Sequence, residues 1–254
     1  MRDYLRVVAS DFDGTLTSTG KRPNGDVLTA LTRVRAEGGL VILVTGRILS
    51  ELRADYTDVD DHVDAIVAEN GCVLSGSQGH RLLATPVDQD LIAASEARNI
   101  NVRAGEVILA GRAADRAAVL EEIHRLELDC QLVFNRSEMM ILPAGLTKGT
   151  GLYEALGDFG VSRHSTIGIG DAENDHSLLD VCEVGVAAGD AVTSLKSFAD
   201  VVLKEPNGRG VSQLLSDIFQ PDAGALHSQR WRLRLGKDSC LSFGDRGLNR
   251  SMHQ

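Results

Sequence analysis

Two aspartates separated by a single residue are the side chains in this sequence that most directly suggest chemistry. Asp11 and Asp13 come directly after an apolar run at residues 7–9, which is typical of a buried strand. Side chains two apart on a strand point the same way, so both carboxylates are expected at its carboxyl end, where open α/β sheets bind ligands. Gly14 lets the chain turn sharply there. Because adjacent carboxylates repel each other unless a cation or a shared proton intervenes, the pair predicts a metal site; an Asp-rich turn is the alternative.

Two further motifs have side chains that suit phosphate binding. Thr45 and Gly46 end the next predicted strand, an apolar run at residues 40–44, and offer a hydroxyl group and backbone N–H groups to phosphate oxygens. Lys148 lies at the beginning of a helix predicted from Thr147, where its ammonium group can hold a phosphoryl oxygen as a point charge. Taken alone, the first motif is also compatible with an ordinary turn, and the lysine with an exposed surface residue.

The fourth motif is the stretch G-I-G-D-A-E-N-D at residues 168–175, after a buried strand predicted at residues 165–169. It puts Asp171 at the carboxyl end of that strand, and Asn174 and Asp175 in the first turn of a helix that starts around Ala172. A helix N-cap with acidic first-turn residues is the alternative. A calcium loop fits less well, because the glycine and the terminal glutamate of an EF-hand are missing.

Together, and in this order, the motifs resemble those of the haloacid dehalogenase (HAD) superfamily: D-F-D-G-T, T-G-R, a lysine, and G-D-A-E-N-D. The resemblance covers roughly residues 6–219. It implies an α/β fold, with a Rossmann-like core built on a parallel sheet. It also implies Mg²⁺-dependent phosphoryl transfer through an aspartyl-phosphate.

The resemblance further implies the roles of particular residues. Asp11 is the expected nucleophile, and Asp13 the group that protonates the leaving oxygen and then activates water. The expected phosphate-binding residues are Thr45, Gly46, Lys148 and Asn174. The expected Mg²⁺ ligands are Asp11 and Asp171 through their carboxylates and Asp13 through its backbone carbonyl. Asp175 is expected to contact the ion either directly or through another ligand.

The spacing of the motifs indicates where a second domain is inserted. Only 31 residues, positions 14 to 44, separate Asp13 from Thr45, whereas about 100 separate Arg47 from Lys148, so the insert lies in the second interval. This is similar to the second (C2) cap class, in the branch of Cof-type sugar phosphatases, sucrose-phosphate phosphatases and archaeal-type phosphoglycolate phosphatases. The tripeptide Glu69-Asn70-Gly71, at the entry to the insert, resembles a motif of that branch.

The alternation of helix and strand patterns predicts four segments. They are a first core segment at residues 1–74, a small α+β cap at 75–144, a second core segment at 145–220 and a tail at 221–254. The middle of the chain has strand-like pieces near residues 72–74, 81–84, 106–110, 131–135 and 138–142, and helical stretches near 88–98 and 113–128. The tail has six Lys or Arg against three Asp, a net charge of +3.

Composition narrows the function classes. The formal net charge of −10 argues against a nucleic-acid-binding face. No apolar run approaches the roughly 18 residues of a membrane span, and the N-terminus does not resemble a secretory signal, so a cytoplasmic location is expected. The four cysteines are scattered, which favours neither a zinc site nor a disulfide framework.

The function that these observations favour is Mg²⁺-dependent hydrolysis of a small phosphorylated metabolite, either a sugar phosphate or a phosphoglycolate-like compound. The alternative is a phosphate-sensing or regulatory module of a larger protein with little turnover, which the basic tail motivates. A phosphomutase is less favoured, because nothing identifies a second phosphate site. The sequence names neither the substrate nor the oligomeric state. Arg112, Asn135 and Arg136 are polar cap residues that could face the substrate, although turn and surface positions explain them as well.

Overall fold

The computed structural model describes residues 5–18, 20–135 and 137–219, so the basic tail and Arg136 lie outside the described residues. The strands of the described part are β1 (Val7–Ser10), β2 (Leu40–Val44), β3 (Ala65–Ala68), β4 (Val73–Gly76), β5 (Gly79–Leu82), β6 (Arg103–Ala104), β7 (Leu109–Arg112), β8 (Cys130–Asn135), β9 (Glu138–Pro143), β10 (Thr166–Gly170), β11 (Val184–Ala187) and β12 (Val201–Val202). Its α-helices are α1 (Gly25–Ala36), α2 (Leu49–Asp55), α3 (Val59–His62), α4 (Gln89–Ala97), α5 (Arg116–Arg125), α6 (Lys148–Asp158), α7 (His176–Val181), α8 (Thr193–Phe198) and α9 (Asn207–Ile218). None of these helices has both the length and the apolar composition needed to cross a bilayer.

Eight strands form one sheet in the order β12-β11-β10-β1-β2-β3-β4-β5. The strands from β12 to β3 run parallel, and β4 and β5 are antiparallel to their neighbours. Strands β1 and β3 and most of β2 are buried, which agrees with continuous apolar runs rather than alternating ones. The predicted α/β class with a Rossmann-like parallel sheet is confirmed.

Helices cover both faces of this sheet. Val8 of β1 belongs to the apolar layer that contains α1 and α9, whereas Val7 and Ala9 belong to the opposite layer, with α6 and α7. The alternation of side chains along the strand thus supplies both layers. Because both faces of the sheet are buried, the ends of its strands are held in place. Asp11, Thr45 and Asp171 directly follow the ends of β1, β2 and β10.

The inserted unit has its own antiparallel sheet, in the order β6-β7-β9-β8, which packs with α4 and α5. Leu91 of α4, Val119 of α5 and Ile141 of β9 are among the buried residues of its core. The other face of the sheet turns towards the large domain, because Ala110, Val133 and Met140 belong to the core layer of α1. The cap therefore closes directly over one edge of the large sheet.

Three local expectations differ from the structure. The strand piece near residues 81–84 was expected in the cap, but it corresponds to β5, which forms a hairpin with β4 and extends the large sheet. The piece near residues 106–110 is shifted, because β7 begins only at Leu109. The helix expected around Ala172 begins at His176, after a short 3-10 turn. The four segment boundaries themselves stay a prediction.

Candidate active site

Asp11 and Asp171 lie side by side because the strands that precede them are neighbours. Strands β1 and β10 are parallel and pair Ser10 with Ile169. The N–H group of Asp11 donates to the carbonyl of Ile169 at 2.9 Å. Asp175, in the turn after β10, completes a cluster of three buried carboxylates, each with an oxygen within 4.8 Å of the others. Two distant parts of the chain thus supply one acidic site.

Lys148 lies in the same cluster and is fully buried. It is the first residue of α6, which Thr147 caps by accepting the N–H of Thr150 at 3.1 Å. The Lys148 ammonium donates to Asp11 Oδ1 and Asp175 Oδ1, at 2.6 Å each. Burial acts to lower the pKa of Lys148, but the attraction of Asp11 and Asp175 outweighs burial and raises that pKa above its ordinary value. Lys148 is therefore a charged counter-ion inside the site and not a surface lysine.

Asp11 has one carboxylate oxygen that is satisfied and one that is not. Oδ1 accepts the hydrogen bond from Lys148, whereas Oδ2 is buried without a hydrogen-bond partner among the described residues. Burial raises the pKa of Asp11 well above its ordinary value; Lys148 opposes this shift, and Asp175 and Asp171 add to it. Because an unpaired buried oxygen is unfavourable, Oδ2 marks a position suited to a cation or an electrophile.

The turn after β10 is held by the side chain of Asp175. Its Oδ2 accepts the N–H groups of Asp171 and Ala172, at 2.8 and 2.9 Å. On the other side, the hydroxyl of Thr15 donates to Asp171 Oδ1 at 3.2 Å. Thr15 belongs to the D-F-D-G-T motif, but no role was predicted for it. The contact shows that it orients one of the expected metal ligands.

The charges and donor atoms of the cluster fit a divalent ion. With all three carboxylates ionised, Asp11, Asp171 and Asp175 carry three negative charges and Lys148 one positive charge, which leaves −2. Carboxylate oxygens are the ligands that Mg²⁺ prefers, whereas zinc sites use nitrogen and sulfur. Together with the orphaned Oδ2 of Asp11, this donor set fits a hard divalent ion such as Mg²⁺.

The carboxyl end of β2 brings Thr45 and Gly46 to the same edge, since β2 is the other neighbour of β1. Thr45 is buried, and its hydroxyl accepts the N–H of Arg47 at 3.1 Å. Gly46 packs against the cap, because a Cβ atom at this position would lie 3.0 Å from the sulfur of Met140. The apolar side chain of Met140 therefore covers the expected phosphate-binding loop.

Asp13 is fixed by a two-pronged ion pair that the sequence analysis missed. Arg47 donates from Nε and Nη2 to the two Asp13 oxygens, at 2.5 and 2.9 Å, and from Nη1 to Asp55 at 2.8 Å. Its guanidinium lies over the rings of Phe12 and Tyr56, 5.6 and 5.5 Å from their centroids. The hydrogen bond to Asp13 raises the pKa of Arg47 above its ordinary value, although burial opposes the shift.

A cleft of about 340 Å³ separates the large domain from the cap. Asp11, Asp13, Thr45 and Gly46 line it from the sheet side. The cap residues that line it are Arg103, Ala110, Asn135, Ser137, Glu138 and Met140. Of the polar cap residues that the sequence singled out, Asn135 lines the cleft, whereas Arg112 is exposed and pairs with Asp115 at 3.0 Å.

Comparison with known proteins identifies the family. A model of the haloacid dehalogenase-like hydrolases matches residues 8–104 and 93–215. The chain belongs to this family. It is 31% identical over 224 residues to a phosphoglycolate phosphatase of Nitrosopumilus maritimus, with 84% of this chain and 96% of that protein covered. It is 28% identical over 233 residues to phosphoglycolate phosphatase 2 of Saccharolobus solfataricus, with 86% and 94% covered.

Solved structures agree with this assignment. The fold is similar to that of a haloacid dehalogenase-like hydrolase from Bacteroides thetaiotaomicron, with a TM-score of 0.71, 20% identity, and 84% of this chain and 99% of that chain covered. The expected membership of the HAD superfamily is confirmed, and so is the enzyme class, a phosphoric monoester hydrolase.

The HAD-family motifs meet at one edge of the sheet. Asp11, Asp171 and Asp175 have oxygens within 4.8 Å of one another. Lys148 donates to Asp11 and Asp175, and Thr45 lines the cleft. The other residues that carried predicted roles are Asp13, Gly46 and Asn174. Asn174 donates from Nδ2 to Asn70 Oδ1 at 3.1 Å, and its own Oδ1 is buried without a described partner.

Proposed function

We propose that this HAD-family hydrolase is a Mg²⁺-dependent phosphatase that hydrolyses a small phosphorylated metabolite through an aspartyl-phosphate on Asp11. The observation that carries the proposal is the unpaired, buried Oδ2 of Asp11, inside a cluster of three carboxylates and one lysine. Lys148 occupies Oδ1, so Oδ2 is the atom available to a metal ion or to phosphorus. The residues that would hold Mg²⁺ are Asp11, Asp171 and Asp175, with the Asp13 backbone carbonyl.

Charge explains why the site needs cations. A phosphate monoester is nearly dianionic at neutral pH, and a carboxylate about 4 Å from one of its charges is opposed by about 4 kcal/mol at an effective dielectric near 20. Bound Mg²⁺ would offset that repulsion and polarise the phosphoryl group. Lys148 adds a positive charge, and Thr45, Gly46 and Asn174 supply neutral hydrogen-bonding groups for the phosphoryl oxygens.

Two displacements complete the proposed reaction. An oxygen of Asp11 forms a bond to phosphorus while the bond from phosphorus to the leaving oxygen breaks, and Asp13 gives its proton to that oxygen. Water then attacks the phosphorus of the aspartyl-phosphate and transfers a proton to Asp13. The Asp11 carboxylate and inorganic phosphate are released. Arg47 holds the ionised Asp13 carboxylate on the cleft side, which suits the second displacement, in which Asp13 accepts a proton. For the first displacement Asp13 must enter in its protonated form, with one of its two oxygens released from Arg47.

The cleft between the large domain and the cap suits a small phosphorylated metabolite. Its volume of about 340 Å³ must hold the phosphoryl group and the rest of the substrate. The relatives named above are phosphoglycolate phosphatases, so 2-phosphoglycolate and short sugar phosphates are the compounds to test first. The cytoplasmic location expected from the sequence stays a prediction.

The test is release of inorganic phosphate from a panel of phosphorylated metabolites, with Mg²⁺ and with a chelator. We expect the enzyme to hydrolyse at least one small substrate with Mg²⁺ and to stop when the chelator is added. Asp11→Asn should lower turnover about 1,000-fold or more, because the amide is a poor nucleophile. Asp158→Asn, which changes a carboxylate paired with Arg81, is the matched control and should keep full activity. Tight binding of the substrates without turnover would instead favour the phosphate-sensing module.

A further inference from the structure

The three residues Glu69–Gly71 have a backbone conformation that needs an explanation. They form a 3-10 turn directly after β3, and their φ values are +53, +56 and +101°. Glutamate and asparagine rarely adopt left-handed φ values, and such conformations persist only where surrounding contacts over-determine them. The contacts of this turn therefore indicate what it is for.

The carboxylate of Glu69 is bound entirely by the cap. It is fully buried, and its two oxygens accept the N–H groups of Glu106, Val107 and Ile108, at 2.9, 2.8 and 3.1 Å. Gly105 leaves room for this contact, because a Cβ atom there would lie 2.5 Å from both carboxylate oxygens. A residue of the large domain thus holds the cap segment that leads into β7, the strand of the cleft residue Ala110.

The same turn holds the phosphate-binding side of the site. The N–H groups of Glu69 and Asn70 donate to the carbonyls of Arg47 and Thr45, at 3.0 and 2.9 Å. The Asn70 side chain accepts the hydrogen bond from Asn174 at 3.1 Å. One turn therefore touches the T-G-R loop, the fourth motif and the cap at once.

We propose that Glu69 is a positioning residue that clamps the cap in its closed position over Asp11, and that Asn70 couples this clamp to Asn174. The inference rests on the proposed phosphatase function for its kinetic readout alone. With the clamp made, Met140 and Ala110 roof the site and restrict it to small leaving groups. With the clamp broken, the cap is free to move away from the site.

Glu69→Gln tests the clamp with almost no change in volume. The amide keeps one acceptor oxygen and places an NH₂ group against backbone N–H donors, so at least one hydrogen bond is lost. Hydrogen exchange at residues 106–108 should become about 10- to 100-fold faster, as expected for loss of a hydrogen bond to a charged group. Exchange in β10 should not change. Unchanged protection at residues 106–108 would overturn the proposal, and this readout does not depend on the enzyme's substrate.

The kinetic readout separates a clamp from a merely structural residue. For the best small substrate of the wild type, kcat/KM should fall about 10-fold or more in Glu69→Gln, whereas kcat/KM for the bulkier p-nitrophenyl phosphate should change less than about 3-fold. An equal loss on both substrates would contradict the clamp. Glu122→Gln is the control, since Glu122 is a buried cap carboxylate that pairs with Arg98 and Arg125. It should change kcat/KM for neither substrate.

Two further variants keep the proposal testable if Glu69→Gln does not fold. Gly105→Ala disrupts the same contact from the cap side. It should reproduce the faster hydrogen exchange at residues 106–108 and the larger loss of kcat/KM for the small substrate than for p-nitrophenyl phosphate.

Asn70→Gly keeps the left-handed backbone and the Glu69 carboxylate but removes the hydrogen bond to Asn174. It should weaken competitive inhibition by inorganic phosphate about 10-fold while residues 106–108 stay protected. Deprotection in Asn70→Gly would show that the backbone of the turn, and not the Glu69 carboxylate, holds the cap.

Discussion

The ammonium group of Lys148 lies 2.6 Å from the carboxylate of Asp11, although 137 positions separate the two residues along the chain. The contact is fully buried, and Lys148 makes a second bond of the same length to Asp175. The lysine is thus the one cation described among three buried carboxylates. It partly neutralises the cluster before any metal binds, and it leaves Asp11 Oδ2 unpaired.

Replacing Lys148 by methionine should destabilise the metal-free protein and make its stability more dependent on Mg²⁺. Removal of one partner from a buried ion pair costs about 3–5 kcal/mol, because the remaining charges are uncompensated. With all three carboxylates ionised, the cluster would then carry three negative charges and no positive one, so a bound cation should stabilise the variant more than the wild type. Thermal unfolding with chelator and with Mg²⁺ measures both effects. Lys204→Met, at an exposed position, should unfold like the wild type; equal stability of Lys148→Met and wild type in chelator would refute the prediction.

Thr15→Val should weaken Mg²⁺ binding more than it weakens the fold. The Thr15 hydroxyl donates to Asp171 Oδ1, and loss of a group that orients a metal ligand typically lowers metal affinity about 10- to 100-fold. The loss of one hydrogen bond costs only about 1 kcal/mol of stability. Calorimetric titration with Mg²⁺ gives the affinity, and chemical denaturation the stability. Thr32→Val, at an exposed threonine that donates to Leu28, is the control, and unchanged affinity in Thr15→Val would contradict the expected role of Asp171.

The carboxylate cluster could be predicted from the sequence because neighbouring parallel strands end at the same edge of a sheet. Each apolar run fixes a strand end, and Asp11, Thr45 and Asp171 follow those ends directly. Lys148 was also recognisable, although only the structure shows that it is buried. The order of the HAD-family motifs, more than the local sequence around Lys148, distinguished this residue from a surface lysine.

Contacts made by long side chains between separate loops could not be predicted in this way. Arg47 reaches back to Asp13, and Glu69 reaches residues that follow it by about 40 positions, and no local pattern encodes either choice of partner. The predicted start of the helix after Asp171 was wrong for a similar reason. The Asp175 carboxylate takes the first two N–H groups of that segment, so the α-helix begins later. Strand β5 was assigned to the cap because a short strand does not indicate which sheet it joins.

Gly14→Ala should damage the metal site through a direct clash. Gly14 has φ of +86°, and a Cβ atom there would lie 2.2 Å from Asp171 Oδ2. The left-handed conformation alone costs roughly 1–3 kcal/mol for a residue with a side chain, and the clash must in addition move the Asp171 carboxylate. Gly38→Ala is the control, since Gly38 has φ of +78° and nothing within 4 Å of the added atom. Both variants should lose stability, but only Gly14→Ala should lose Mg²⁺ affinity in calorimetric titration; equal affinities would contradict the prediction.

Arg47→Lys should lower activity by misplacing Asp13 while the fold is retained. Lysine keeps the charge but cannot donate two parallel hydrogen bonds to one carboxylate, so Asp13 is no longer held towards the leaving oxygen. A fall in kcat of about 10- to 100-fold is expected for a poor leaving group such as a sugar alcohol, in line with the usual contribution of general acid catalysis. The fall should be smaller for p-nitrophenyl phosphate, whose leaving group needs no proton. The control is Arg53→Lys, which breaks a similar two-pronged pair with Asp60, at 2.8 Å for both bonds, away from the cleft. If Arg47→Lys slows both substrates equally, Arg47 acts on a step other than protonation of the leaving group.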